Sequence, residues 1–398
     1  MKTHHVFFSF FFGILFFNSC TSKEKVSENP LEKQILAIKN EFAPDKRVAL
    51  FDIVAIQNNT EIVLKGESNL INAIKTLKDN LKKENISFID SIKILPGDTL
   101  GEQTRGVIKI SVANLRSKPS HSAELATQAT LGTPVLVYKK KDNWYLIQTP
   151  DKYLSWVDGG GLQLMTQETF ALWKLSDKII FLETYGQSYE QPSKNTQVVS
   201  DLVAGDIVVL KDEQKYFYQI RYPDNRTAYI SKSQSKKYKV WLANLNPSQE
   251  SLMKTSKSLM GLPYLWGGTS SKGVDCSGFT KTIYFLNGMV IPRDASQQIH
   301  VGELSDDKKN FDDLQPGDLL FFGVPATDRN KERVVHVGMW IGNNEFIHAS
   351  GRVHISSVDK NATNYDEYNF NRYLRSKRML NTNDSGIINL ANRDFFKD

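Results

Sequence analysis

Only two cysteines occur in 398 residues, Cys20 and Cys276, so at most one disulfide can form and each domain must be held by its own apolar core. Cys20 follows an apolar run, 6–17, that is too short to span a bilayer. The run sits behind Lys2, His4 and His5, where a secretory h-region belongs, so residues 1–20 read as an export signal. If Cys20 leaves with that signal or is modified, Cys276 is a lone thiol in an oxidising compartment. A catalytic role for Cys276 then gains weight against the alternative of a buried, inert cysteine.

The stretch Phe17-Asn18-Ser19-Cys20 resembles a lipobox, although Phe17 stands where leucine is usual. The resemblance implies lipidation of Cys20, a membrane partner through that anchor, and a polar tether over 21–30. An ordinary secretory signal with a chance cysteine is the alternative. A composition of 40% hydrophobic and 24% charged residues at this length predicts about two to four globular domains. The net charge of +6 suits an anionic surface such as cell-wall polymer, but no dense Lys/Arg stripe points to nucleic acid.

Residues 31–100 read as a small α/β domain. Strands are predicted over 47–57, 60–64 and 86–95, and a helix over 69–83 carries Leu70, Ile71, Ile74, Leu77 and Leu81 at helical spacing. Asn58-Asn59 makes a credible hairpin turn because Asn tolerates left-handed backbone. No catalytic constellation lies here, which leaves packing, spacing or binding as its role. Over 104–165 the pattern changes to short β segments of a small barrel. Asn114-Leu115-Arg116-Ser117-Lys118-Pro119, Gly132-Thr133-Pro134-Val135 and Trp144-Tyr145-Leu146-Ile147 resemble bacterial SH3-like domains. A diverged second copy is predicted over 170–240, with Gly205-Asp206-Ile207-Val208 at its central strand entry. Binding and packing against the enzyme are both open to these modules.

The chemistry concentrates in 246–380, followed by a tail over 381–398. Asn246 as N-cap and Pro247 at the first position predict a helix over 247–260. A Gly-rich aromatic turn, Pro263-Tyr264-Leu265-Trp266-Gly267-Gly268, leads to Asp275-Cys276-Ser277-Gly278-Phe279, and a helix then runs to Asn287-Gly288. Cys276 thus starts a helix, where the helix dipole and a nearby imidazolium lower a thiol pKa. Among seven histidines, His336 and His348 lie on two strands joined through Gly342-Asn343-Asn344. A two-residue turn would put them on opposite faces. A three-residue turn, with Asn344 left-handed and Ile341 opposite Glu345, makes them diagonal neighbours roughly 7 Å apart. The second geometry gives a triad in which Cys276 attacks, His336 carries the proton and His348 orients His336. The Cys276 N–H and the Tyr264 hydroxyl are candidate oxyanion donors.

These residues resemble the NlpC-type bacterial cell-wall peptidases, of papain-like fold. The resemblance rests on Tyr264-Leu265-Trp266-Gly267-Gly268, Asp275-Cys276-Ser277-Gly278-Phe279, Pro292-Arg293-Asp294-Ala295-Ser296-Gln297-Gln298, Leu314-Gln315-Pro316-Gly317-Asp318, His336-Val337-Gly338 and His348-Ala349-Ser350. It implies a multidomain α+β chain: a papain-like cysteine peptidase domain preceded by SH3-like β-barrels and a small α/β domain. It implies a Cys276, His336, His348 triad with Tyr264 as oxyanion donor. With SH3-like modules in front, the chain is similar to γ-D-glutamyl-L-diamino-acid endopeptidases. Those act on peptidoglycan stem peptides or muropeptides with a free N-terminal L-Ala. The resemblance further implies substrate contacts at Asp275, Ser277 and Ser296, with Glu124 meeting the substrate amine as a buried carboxylate; an exposed loop Glu is the alternative.

Trp266 and Trp340 read as core residues, and Arg293-Asp294 as a local ion pair or else a grip on a substrate carboxylate. The basic loop 329–333 reads as solvated. No His/Cys/Asp/Glu set has metal-ligand spacing and no Gly loop suits a phosphate, so no cofactor and no metal are expected. Two other functions stay open, a catalytically silent wall-binding scaffold and a papain-like acyltransferase or amidase on another acyl bond.

Overall fold

The structure is a computed structural model that describes residues 30–58 and 61–396. The export signal, Cys20, the tether up to residue 29 and Asn59 of the expected hairpin turn lie outside the described residues.

The N-terminal unit packs helices Pro30–Phe42 and Ile71–Lys83 on a three-stranded sheet, Phe51–Asn58, Glu61–Ser68 and Ile89–Ile94. Leu31, Ile35 and Ile38 on one helix and Ala73, Ile74, Leu77 and Leu81 on the other recur every three or four residues, so each helix buries one stripe. They meet Phe51, Ile53 and Leu64, each such side chain contributing roughly 1.5–3 kcal/mol. The second and third strands are parallel, with the second helix crossing between them. The first strand starts later than residue 47, because the segment before it bonds to the next domain. The Leu154 N–H donates to the Arg47 carbonyl, and Gln148 Nε2 donates to the Val48 carbonyl.

Seven strands follow between Arg105 and Met165, and seven more between Lys178 and Lys237. Numbered within each unit, both sheets have the spatial order seventh, first, fourth, fifth, sixth, second, third. The diverged second segment therefore repeats the fold of the first. The two barrels meet at equivalent turns. The Ile207 N–H donates to the Leu131 carbonyl, and the buried Asp206 carboxylate accepts from the Leu131 and Val203 N–H groups. Gly132 has φ +82, and a Cβ there would overlap the Ile207 carbonyl, so the contact requires glycine.

The last unit is a six-stranded antiparallel sheet in the order Glu303–Asp306, Tyr373–Arg378, Leu319–Val324, Arg333–Gly342, Glu345–Ser350, Arg352–Ser357. Helix Cys276–Leu286 lays Phe279 and Ile283 on one face against Leu319, Phe321, Val337, Met339 and Ile347. The preceding helix is Gln249–Ser258 and not 247–260. Ser248 caps it by accepting from the Ser251 N–H while the Ser251 hydroxyl accepts from the Ser248 N–H, so the cap falls two residues later than Asn246.

The stretch after residue 380 is no loose tail. Ile388–Asn389 pairs with Met289–Val290, Leu390 is fully buried, and Phe396 sits edge-on to Trp173 and Tyr238. It stitches the second barrel to the last domain.

Candidate active site

Asp275 is the N-cap of helix Cys276–Leu286, with its carboxylate accepting from the Gly278 N–H at 2.7 Å. The cap places Cys276 at the first helical position, 8% exposed. The same carboxylate accepts from the Gly267 N–H and from both terminal nitrogens of Arg293, at 3.1 and 2.6 Å. Arg293 also donates to Ser277 Oγ at 2.9 Å and, through Nε, to Thr127 Oγ1 of the first barrel at 2.8 Å. Arg293 is 1% exposed. The expected local pair with Asp294 is present but long, at 3.9 Å, and the main partner is Asp275, which takes the guanidinium in a bidentate fork. Asp275 and Ser277 are both buried and their side chains hold the loop and helix together.

The helix dipole does not win at the sulfur. Burial, and then the Asp275 charge, push the Cys276 thiol up to about 12, while the Val337 and Ser277 backbone amides and Arg293 pull the other way. The Val337 amide at the sulfur brings the middle of strand Arg333–Gly342 against Cys276.

His336 and His348 lie on one face of the hairpin, with His336 Nε2 2.7 Å from His348 Nδ1. The device differs from the expected three-residue turn. Asn343 and Asn344 are both left-handed, at φ 54 and 61, so Gly342 pairs with Glu345 across a two-residue turn. A bulge at Ile341 then shifts the pairing to Trp340 with Phe346, which returns the two histidines to one face. A second irregularity, at Val335, lies directly beside His336, where a strand re-aims a side chain. Burial lowers His336 to about 3, with Arg372 and His354 adding to it, and lowers His348 to about 2. The short polar contact of His336 is to His348 through Nε2, so Nδ1 takes no part in that bond.

The unliganded pair is therefore a neutral thiol and a neutral imidazole, the reverse of the expected thiolate. Because the thiol pKa is raised, the thiolate fraction at neutral pH is small and grows tenfold per pH unit. Alkylation of Cys276 by iodoacetamide is expected to accelerate steadily through about pH 9. Mass spectrometry of the adduct against time measures this, and a rate already level from about pH 6 would show a preformed ion pair instead.

Tyr264 is half-buried, and burial, then the Cys276 and Asp275 charges, raise it to about 12, so its phenol stays a donor. Its backbone bridges Val274 and donates to the Gly351 carbonyl, fixing it beside Asp275 and Cys276. Glu124 is exposed, which is the loop alternative and not the buried carboxylate. Its carboxylate accepts from Trp266 Nε1 at 2.8 Å, and Trp266 is 63% exposed, so that tryptophan is a surface residue and not core. Trp340 is core. Glu124, Arg116, Leu265, Trp266 and Lys272 line a depression of about 480 Å³ between the first barrel and the last domain. Gly267, at φ +77, lets the Leu125 backbone close against this turn, where a Cβ would overlap the Leu125 carbonyl.

Ser296 lies apart from that wall, on helix Ala295–Gln298, and its partner is far away in the chain. Arg47 of the N-terminal unit donates to Ser296 Oγ at 2.9 Å and to Asp294 at 2.7 Å, while Asp45 grips the rest of its guanidinium. Tyr153 of the first barrel also donates to Asp294. Three domains meet at this corner.

A buried cysteine at a helix start, an antiparallel sheet carrying a histidine pair, and two small barrels in front define the class of protein. The NlpC/P60 family model matches residues 261–388, and a bacterial SH3 domain model matches 111–163 and 189–235. Gamma-D-glutamyl-L-lysine dipeptidyl-peptidase of Bacillus cereus is 33% identical over 238 residues, 58% of this chain and 68% of that one. Dipeptidyl-peptidase 6 of Lysinibacillus sphaericus is 25% identical over 265 residues, 64% of this chain and 92% of that one. The crystal structure of an NlpC/P60 family protein from Bacillus cereus superposes with a TM-score of 0.57 at 26% identity, covering 69% of this chain and 99% of that one. The chain belongs to the NlpC/P60 family and carries bacterial SH3 domains.

Proposed function

We propose that this chain is a cysteine peptidase of peptidoglycan stem peptides that cuts between γ-D-Glu and the diamino acid of muropeptides with a free N-terminal L-Ala. The observation that carries the reading is the Cys276 helix start set against a strand whose His336 is held by His348. The name of the Bacillus cereus relative, gamma-D-glutamyl-L-lysine dipeptidyl-peptidase, points to the same bond class, and that of the Lysinibacillus sphaericus relative to a dipeptidyl-peptidase.

In this mechanism His336 Nδ1 takes the thiol proton as Cys276 Sγ adds to the γ-carbonyl carbon of D-Glu. The oxyanion meets the Cys276 N–H and the Tyr264 hydroxyl. Collapse breaks the C–N bond, the amine of the diamino acid leaves with the proton from His336, and a thioester remains on Cys276. Water, deprotonated by His336, adds to that carbonyl, and the thiol returns as the dipeptide leaves. Asp275 and Ser277 have their side chains engaged by Arg293 and the helix start, so in this reading they shape the wall beside Cys276. Glu124 beside Trp266 receives the substrate ammonium, and Ser296 a polar group of the peptide. Lipidation at Cys20, holding the enzyme at the cell envelope, belongs to the same reading.

The test incubates L-Ala-γ-D-Glu-diaminopimelate with the soluble protein and with Cys276→Ala, and follows L-Ala-D-Glu release by mass spectrometry. Release by the native protein alone is expected. No release from any wall peptide would leave the chain a wall-binding scaffold. Glu124→Gln is expected to raise KM for the free-amine peptide about tenfold with kcat little changed. Equal KM for free and N-capped peptide in the native enzyme would remove Glu124 from the amine site.

A further inference from the structure

His348 is held at both ring nitrogens. Nδ1 faces His336 Nε2 at 2.7 Å, and Nε2 lies 3.0 Å from Ser356 Oγ, with Asp366 Oδ2 3.9 Å from the same nitrogen. Ser356 is buried on the edge strand Arg352–Ser357. In register, His348 pairs with His354, so Ser356 sits one diagonal step further along the same face, as His348 does from His336. Three polar side chains on three neighbouring strands thus form one file.

A file of hydrogen bonds through two neutral imidazoles can run in only two directions. In one, His336 Nε2–H donates to His348 Nδ1, His348 Nε2–H donates to Ser356 Oγ, and His336 Nδ1 keeps its lone pair. In the other, every bond is reversed and His336 Nδ1 carries a hydrogen, which cannot accept a thiol proton. The hydroxyl of Ser356 serves either direction. The Asp366 carboxylate does not, because a negative charge near His348 Nε2 favours a hydrogen there. Asp366 is itself fixed as the N-cap of helix Glu367–Asn371, accepting from the Asn369 N–H and from Asn369 Nδ2. The other ionisable groups around His348 are His354, whose ring centroid is 4.4 Å away, and Arg372. Both are cationic when charged and so cannot supply this bias.

We propose that Ser356, with Asp366 behind it, is a positioning residue that fixes the tautomers of His348 and His336 so that His336 Nδ1 is the free base facing Cys276. No proton travels along the file. When His336 takes the thiol proton at Nδ1, its Nε2–H already donates to His348, and the file stabilises the imidazolium in place.

The inference rests on the peptidase reading, so its test has an arm that needs no turnover. In Cys276→Ala protein labelled with ¹⁵N-histidine, His336 is expected as the Nε2–H tautomer, and adding Ser356→Ala together with Asp366→Asn, which removes both the partner of His348 Nε2 and the charge behind it, is expected to give a mixture of both tautomers. With Cys276 intact, Ser356→Ala is expected to lower kcat at least about tenfold with KM within about twofold, and Ser356→Thr to restore it. A single unchanged tautomer in the protein carrying Ser356→Ala and Asp366→Asn would overturn the proposal whether or not any peptide is cleaved. Loss of kcat that Ser356→Thr fails to restore, with the tautomer unchanged, would likewise reduce Ser356 to a packing role. Absence of peptidase activity with the tautomer shift present would sink the functional reading and leave the file standing.

Discussion

An Arg293→Leu substitution is expected to remove about 3–5 kcal/mol of stability, because it strips a buried carboxylate of its counter-ion. Arg293 and Asp275 form a bidentate pair at 2.6 and 3.1 Å, with the guanidinium 1% exposed. Without the guanidinium, Asp275 keeps only backbone and hydroxyl donors, and Thr127 and Ser277 lose the donors that tie the first barrel to the nucleophile helix. The loss therefore reaches the interface as well as the loop. Urea unfolding of the two proteins, with m compared alongside, measures it. Asp275→Asn combined with Arg293→Leu is expected to recover part of the loss, since no bare charge then remains. A single Arg293→Leu variant within about 1 kcal/mol of the native protein would show that water reaches Asp275 and that the pair is not buried in solution.

Why this pair escaped the sequence reading shows which structure a sequence exposes. The helix at Cys276, its end at Asn287-Gly288 and the strands of His336 and His348 are written in local periodicity and turn residues, and they were legible. Even there, the same-face placement of the histidines came from a bulge at Ile341 that has no residue signature. The partners that assemble the site are far apart in the chain: Arg293 and Asp275 are 18 residues apart, Trp266 and Glu124 142, and Arg47 and Asp294 247. The charged ones are residues that local rules assign to solvent or to the nearest neighbour, and Trp266 is one that those rules assign to the core. The last eighteen residues misled for the opposite reason. Their Asn, Asp and Gly content reads as loop, while Leu390 and Phe396 carry the packing. The electrostatic balance at Cys276 was likewise closed to the sequence, since the helix start was visible but the depth of burial that outweighs it was not.

That balance sets the terms for the second large effect, at His336. With a preformed thiolate, losing the imidazole would mainly slow protonation of the leaving amine. With a neutral thiol pushed up to about 12, the imidazole must also remove the proton at the moment of attack. His336→Ala is therefore expected to lower kcat/KM on the muropeptide by about 10³–10⁴-fold, close to the loss from Cys276→Ala. The double variant should lose scarcely more, because residues that act as one unit are not additive. His348→Ala should fall less far, since His336 keeps its Nδ1 and loses only the contact that orients it. Single-turnover release of L-Ala-D-Glu by the native protein and the four variants at fixed pH gives the comparison. If His336→Ala kept more than about a tenth of native kcat/KM, the base would have to lie elsewhere, because nothing but a proton acceptor makes a neutral thiol of this kind nucleophilic at neutral pH.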